Sequence, residues 1–221
     1  MRRVLVLRPE PGASATIAKA RAMGLEPIAV PLFTIEPVEW AAPDPTGFDG
    51  ILLTSANAVR SAGEGLRELR AIPAFAVGQA TAEAARQAGF AIAATGDSGV
   101  DRLLGSIDPD LHLLHLCGED RQRPATAKPR ITAVSVYRAV SVENPELGET
   151  KGAVALIHSP RAGRRFREVA PNRSSIAIAA ISPAAAEASG GGWATVECAA
   201  EPTDDALLAL AARLCEKPAP K

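Results

Sequence analysis

Four places in the chain set small hydroxyl or amide residues where an apolar run gives way to a helical one. They are Thr54-Ser55-Ala-Asn57, Gly78-Gln79-Ala-Thr81, Ser159-Pro160 and Ser182-Pro183. A serine at such a junction accepts a backbone N–H bond as N-cap, and proline fits the first helical position. Such a helix start sends N–H groups and a partial positive charge outward, a seat for carboxylate or phosphate. Arg8 follows an apolar run, and Arg121 and Arg123 follow another, so each can add fixed charge to the same kind of rim. Gly118 opens the loop after Leu113-Leu-His-Leu-Cys. Tyr137 closes a further apolar run and is the one tyrosine, a phenol able to give up a proton. Each feature has a plainer reading: Ser and Thr cap most helices, loop arginines are readily solvated, and a tyrosine can simply anchor a strand. The recurrence of the junctions is what favours a ligand.

Other chemistries find no support. His112, His115 and Cys117 crowd one strand, but alternation sends His112 to the face opposite His115 and Cys117. There is no second Cys/His cluster to complete a zinc site. The glycine patterns of dinucleotide-binding and phosphate-binding loops are missing, which speaks against those two readings. Ser55 and Ser159 lack the Gly-x-Ser-x-Gly elbow of a hydrolase. Glu119-Asp120 reads as a solvated turn. The expectation is no metal and no cofactor.

The elements that would position these residues alternate. Strand-like runs such as Val4–Leu7, Gly50–Thr54, Ala74–Val77, Leu111–Leu116, Ala133–Tyr137, Val154–His158 and Ile176–Ile181 interleave with Ala/Arg/Glu-rich helical ones. That order predicts an α/β fold with parallel sheets flanked by helices. The spacing predicts helices over Ser14–Met23, Ala56–Leu69, Thr81–Ala88, Arg161–Val169, Ala184–Ser189 and Asp204–Leu214. Gly24, Gly89 and Gly190 stand where helix C-termini need positive φ.

The chain is also built twice. At an offset of 104 residues Leu52 meets Leu156, Ser55 meets Ser159 and Ala58 meets Ala162. The same offset lays Ala80–Ala84 on Ala184–Ala188, and Asp101, Leu103 and Leu104 on Asp205, Leu207 and Leu208. Three ungapped blocks at one offset argue for duplication. The opening segment precedes the first copy, while the second copy lacks its closing strand and helix. The N-terminus is therefore expected to complete the C-terminal half. This gives a discontinuous domain of 1–35 and 142–221 and a second domain of 40–137. The crossings fall near 34–39 and 137–142, where FTIEPVE and YRAVSVE are rich in β-branched residues and can pair as a two-stranded β linker. Paired rims would then meet across a cleft.

The totals agree with a globular chain. It has 221 residues, 47% of them hydrophobic, and a net charge of −1, with no basic stripe for nucleic acid. No apolar run reaches the length of a membrane span, and the Val4–Leu7 run is too short for a signal peptide. The odd count of three cysteines fits a reducing, cytoplasmic setting.

In order, FDGILLTSANAV (48–59), AVGQATAEAARQAG (76–89), SVYRAV (135–140), IHSP (157–160), IAAISPAAAEA (178–188) and PTDDALLAL (202–210) resemble the uroporphyrinogen-III synthase family. The resemblance implies two similar α/β domains with flavodoxin-like topology. It implies cyclisation of hydroxymethylbilane, a linear tetrapyrrole with eight carboxylates, to uroporphyrinogen III with inversion of ring D through a spiro intermediate. It implies a cofactor-free lyase of tetrapyrrole and haem biosynthesis, with transient contact with hydroxymethylbilane synthase. The two short crossings, acting as a hinge, predict mobile domains and a monomer. Tyr137 matches the tyrosine that assists departure of the hydroxyl. Thr54, Ser55, Gly78, Gln79, Thr81, Ser159 and Ser182 match loops that face the tetrapyrrole, and Arg8, Asn57, Gly118 and Pro160 stand beside them. Two departures are Ala184-Ala185, where the family often has threonine, and a short, proline-broken Arg121–Arg130. The rival reading is a non-catalytic two-domain clamshell for a small anionic ligand.

Overall fold

A computed structural model describes residues 2–96, 99–120 and 128–216. In chain order the elements are β1 (Arg3–Val6), α1 (Gly12–Ala22), β2 (Glu26–Ala29), β3 (Phe33–Pro37), β4 (Gly50–Leu53), α2 (Ala56–Ser61), β5 (Ala74–Val77), α3 (Gln79–Gln87), β6 (Ile92–Gly96) and α4 (Val100–Gly105). They continue with β7 (His112–Gly118), β8 (Arg130–Ser141), β9 (Val154–Ile157), α5 (Pro160–Val169), β10 (Ala177–Ala180), α6 (Pro183–Ser189), β11 (Thr195–Cys198) and α7 (Asp204–Glu216). The parallel α/β class expected from the alternation is what the structure has. The chain divides into two compact units, one of Met1–Thr34 with Ser141–Lys221 and one of Ile35–Val140. The divisions fall inside β3 and β8, and β3 borders β8 in the sheet order.

Unit 1 holds a five-stranded sheet ordered β11-β10-β9-β1-β2, all parallel. Unit 2 carries β8-β7-β4-β5-β6 in parallel, with β3 beyond β8. Aligned on the repeat, β9, β10 and β11 answer to β4, β5 and β6, and β1 and β2 answer to β7 and β8. The two units thus share one strand order, with unit 1 starting at a different point of the cycle. In each, one pair of neighbours marks where connections leave in opposite directions: β1 and β9 in unit 1, β7 and β4 in unit 2. Ligands of open α/β sheets bind at the carboxyl ends of such a pair.

The central strands are apolar throughout because helices cover both their faces. Ile51 and Leu53 face a core with Val59, Leu66, Leu69 and Leu114, while Leu52 turns the other way to Phe75, Leu103 and Leu113. In unit 1, Val4, Val6, Val154 and Leu156 pack against Ala13 and Ala20 of α1 and against α7. Helix α7 presents Leu207, Leu210, Ala211 and Leu214, the i, i+3, i+4, i+7 stripe of an amphipathic helix. Each of the three buried leucines of this stripe contributes about 1.5–3 kcal/mol.

Two expectations change. The helix expected over Ala56–Leu69 stops at Ser61, and a 3-10 segment takes over from Gly63 to Ala71. Gly63 has φ +63°, which breaks the α-helical run, and Gly65 lets the Trp40 ring lie against the backbone. The strand ending at Tyr137 runs on to Ser141, because β3 gives its second half a partner.

Candidate functional site

Unit 2 brings most of the proposed residues to the carboxyl ends of β4, β5 and β7. Ser55 caps α2, its Oγ accepting from the Asn57 N–H at 3.2 Å. Thr54 Oγ1 lies 2.9 Å from His115 Nε2, and His115 is buried on the neighbouring strand. Gly78 begins α3 at φ +83°, with its carbonyl accepting from the N–H groups of Thr81 and Ala82. No atom would obstruct a Cβ at Gly78, so glycine is there for its backbone and not for space. Gln79 is exposed in the first turn of α3, whereas Thr81 is buried there.

Tyr137 is placed by a defect in the ladder. Along β7 and β8, Cys117 pairs with Ser135, but the next residue, Gly118, pairs with Tyr137. Val136 is the extra residue of a bulge, fully buried, and the bulge re-aims the phenol over Gly118. A Cβ on Gly118 would stand 2.8 Å from Tyr137 Cζ and 3.1 Å from its hydroxyl oxygen. The phenol also shares a hydrogen bond with the Ser55 side chain. Burial raises its pKa above the usual tyrosine value, the Ser55 hydrogen bond opposes that rise, and the neighbouring Cys117 adds to it. The β7–β4 switch point of unit 2 is therefore occupied by a protonated phenol.

Unit 1 repeats the capping geometry. Ser159 accepts from the Ala162 N–H at 3.2 Å with Pro160 in the first turn of α5. Ser182 accepts from the Ala185 N–H at 3.3 Å with Pro183 in the first turn of α6. Ala184 is exposed beside that cap and Ala185 is buried. The switch point between β1 and β9 is different from that of unit 2. Arg8 Nη1 lies 3.6 Å from Asp204 Oδ1, Thr16 donates to both Asp204 oxygens at 3.0 Å, and His158 Nε2 sits 2.9 Å from Oδ1. Burial pushes the His158 pKa down, against the pull of Asp204. Burial acts to raise the Asp204 pKa, but the hydrogen bonds from His158 and Thr16 and the charges nearby outweigh it and leave the carboxyl below its ordinary value. Asp204 can only accept from the Nε2 that faces it, and burial favours the neutral form of the ring.

Of the remaining candidates, Arg121 and Arg123 lie outside the described residues, as does most of the 121–130 segment. His112 is turned from His115, its ring nitrogens meeting Thr132 at 2.8 Å and Arg130 at 2.8 Å. Sequence reasoning passed over His115, His158, Thr16 and Asp204 as site residues. The offset of 104 does set His158 on Thr54, and Thr203-Asp204-Asp205 is a helix start; neither hint reveals the contacts.

The family model described as uroporphyrinogen-III synthase HemD matches residues 14–209, most of the chain. The chain belongs to the uroporphyrinogen-III synthase family. A curated uroporphyrinogen-III synthase from Chlorobaculum parvum is 33% identical over 101 residues, 42% of this chain. The chain spans 41% of that relative's length. Among solved structures, uroporphyrinogen-III synthetase from Helicobacter pylori superposes with a TM-score of 0.65 at 18% identity, covering 97% of this chain and 100% of that one. A mutant uroporphyrinogen III synthase from Thermus thermophilus gives 0.54 at 18% identity, covering 99% and 100%. At such identities the likeness is one of fold.

Proposed function

We propose that this chain cyclises hydroxymethylbilane to uroporphyrinogen III with inversion of ring D. The observation that supports this best is the seating of Tyr137. Its protonated phenol stands at the β7–β4 switch point of unit 2, over Gly118 and bonded to Ser55. There it serves as general acid, giving its proton to the hydroxyl that leaves the hydroxymethyl group as water. The azafulvene formed is attacked by the substituted carbon of ring D. The spiro intermediate then fragments and recloses with that ring inverted, and the ring D carbon that forms the closing bond loses its proton, which restores the phenol.

The rest of the task is holding a flexible octacarboxylate with its two ends together. Within each unit, helix starts offer N–H donors at the carboxyl ends of that unit's own strands, α2 and α3 in unit 2 and α5 and α6 in unit 1, each dipole–anion contact contributing about 0.3–1 kcal/mol. Bringing reacting ends together can supply about 7–11 kcal/mol of the barrier. The purified chain incubated with hydroxymethylbilane is expected to give the type III isomer, read by chromatography of the oxidised products. Only the type I isomer, as in spontaneous closure, would reject the reading and favour a non-catalytic anion-binding protein.

A further inference from the structure

The β1–β9 switch point of unit 1 holds a side-chain seat that the proton transfer at Tyr137 does not use. Arg8 leaves β1 and lies across the first turn of α1. A Cβ on Gly12 would stand 2.5 Å from Arg8 Nε, 2.8 Å from Cζ and 2.9 Å from Nη2, so the guanidinium occupies the room that any side chain at position 12 would need. Gly12 is not among the glycines with positive φ, so its backbone does not require glycine. Its bareness serves Arg8. On the other edge, Nη1 reaches Thr16 Oγ1 at 3.4 Å and Asp204 Oδ1 at 3.6 Å. Asp204 is itself held by Thr16 and His158, and its side chain is 18% exposed, while that of Arg8 is 36% exposed. Arg8 is thus clamped between a bare helix turn and an anchored carboxylate, with about a third of its side chain still exposed. The seat stands on the same rim as the Ser159 cap, where an open α/β sheet receives its ligand. A planar guanidinium held in one orientation suits a carboxylate, which it can grip through two parallel N–H bonds.

We infer that Arg8 receives one carboxylate of the substrate and that Gly12 is its positioning residue, opposite the Asp204 anchor. This rests on the reading of the chain as a uroporphyrinogen-III synthase. A purely structural tie between α1 and α7 would use the same contacts, so the test must separate binding from stability.

Gly12→Ala does so. It dislodges the guanidinium but leaves the Thr16 and His158 bonds to Asp204 in place, and a partly exposed ion pair at 3.6 Å contributes little, so the thermal midpoint should change little. KM for hydroxymethylbilane should increase about tenfold, with kcat within about twofold, the loss expected of one charge-assisted contact. Arg8→Lys should raise KM similarly. In the Arg8→Lys background, Gly12→Ala should add little, because it acts only through the fork. Fluorescence titration with uroporphyrin III gives a readout that needs no turnover, and the Kd should weaken in parallel. Wild-type formation of the type III isomer with unchanged KM and Kd in Gly12→Ala would overturn the inference and leave the function standing. Weakened Kd in a chain that makes no type III isomer would reject the enzyme while keeping Arg8 as a carboxylate receptor. Additive effects in the double variant would make Gly12 a structural residue and overturn its positioning role.

Discussion

At Tyr137 two influences compete: burial favours the neutral phenol, and the Ser55 hydroxyl favours the phenolate. Burial prevails, so the proton stays on the ring through neutral pH and is available to a leaving hydroxyl. Tyr137→Phe keeps the packing over Gly118 and removes that proton. It should lower kcat about 100-fold, the lower range for a general acid, with little change in thermal midpoint. Steady-state kinetics showing full turnover would end the acid role. A different residue-scale prediction concerns His158, whose folded pKa lies below its unfolded value of about 6.5. As pH falls through that value the unfolded chain takes up a proton that the folded chain refuses, so stability is lost on acidification and complete above it. Denaturant midpoints at about pH 7.5 and 5.5 should show a smaller acid loss in His158→Asn than in the wild type. The opposite slope would mean a charged His158 in the folded protein. None of this is legible in the sequence beyond the bare presence of the side chains. Tyr137 is conspicuous as the lone phenol, but its orientation depends on a bulge at Val136, which no local pattern announces. His158, Thr16 and Asp204 come from three separate segments and meet only through the sheet order.

Among the elements, what can be read is what the backbone dictates locally. Ser159-Pro160 and Ser182-Pro183 start α5 and α6 as capping chemistry requires, and Gly24, Gly89 and Gly190 take positive φ at 75°, 93° and 66°. Strand β6 is hard to see in the sequence because Ile92–Gly96 is short, rich in alanine and only half-buried at the sheet edge. The close packing of α5 on α6 is equally hidden, since it turns on an absent side chain. A Cβ at Gly163 would stand 2.8 Å from Ser189 Oγ, 3.0 Å from the Ala185 carbonyl and 3.0 Å from the Ser189 nitrogen. Two of those atoms are backbone and cannot swing aside. Gly163→Ala, favourable by helix propensity alone, should instead destabilise the protein by about 1–3 kcal/mol through overpacking. Gly105→Ala, in α4 with no atom near its Cβ position, should be neutral or stabilising by up to about 1 kcal/mol. Urea titrations of the pair read the difference, and equal effects would mean that α5 and α6 separate easily.

For the whole molecule, the repeat at offset 104 reveals a doubled architecture, and the sheet orders give the reason its second copy looks incomplete. The strand β1 and helix α1 that close the unit 1 sheet lie at the other end of the chain, with all of unit 2 between. Each unit nevertheless has a core made wholly of its own residues: Ile51, Leu53, Leu69 and Leu114 in one, Val4, Leu156, Leu207 and Leu214 in the other. Unit 2 is also continuous in sequence, from Ile35 to Val140. A fragment of residues 35–140 has the size of an ordinary domain and should fold alone, with a cooperative denaturant transition. Unit 1 is the harder case, because its two pieces must find one another. Leu32 and Val142, joined by a 2.9 Å backbone bond, bring its broken ends side by side, so a short glycine linker from Thr34 to Ser141 should let it fold without unit 2. The two tryptophans report the halves separately. Trp40 donates to the Ala62 carbonyl in unit 2, and Trp193 stacks on Phe166 in unit 1. In the full chain, Trp40→Phe and Trp193→Phe variants should give fluorescence transitions with different midpoints in denaturant. Coincident midpoints, together with a 35–140 fragment lacking a cooperative transition, would show that neither core is sufficient and that the chain folds only as one.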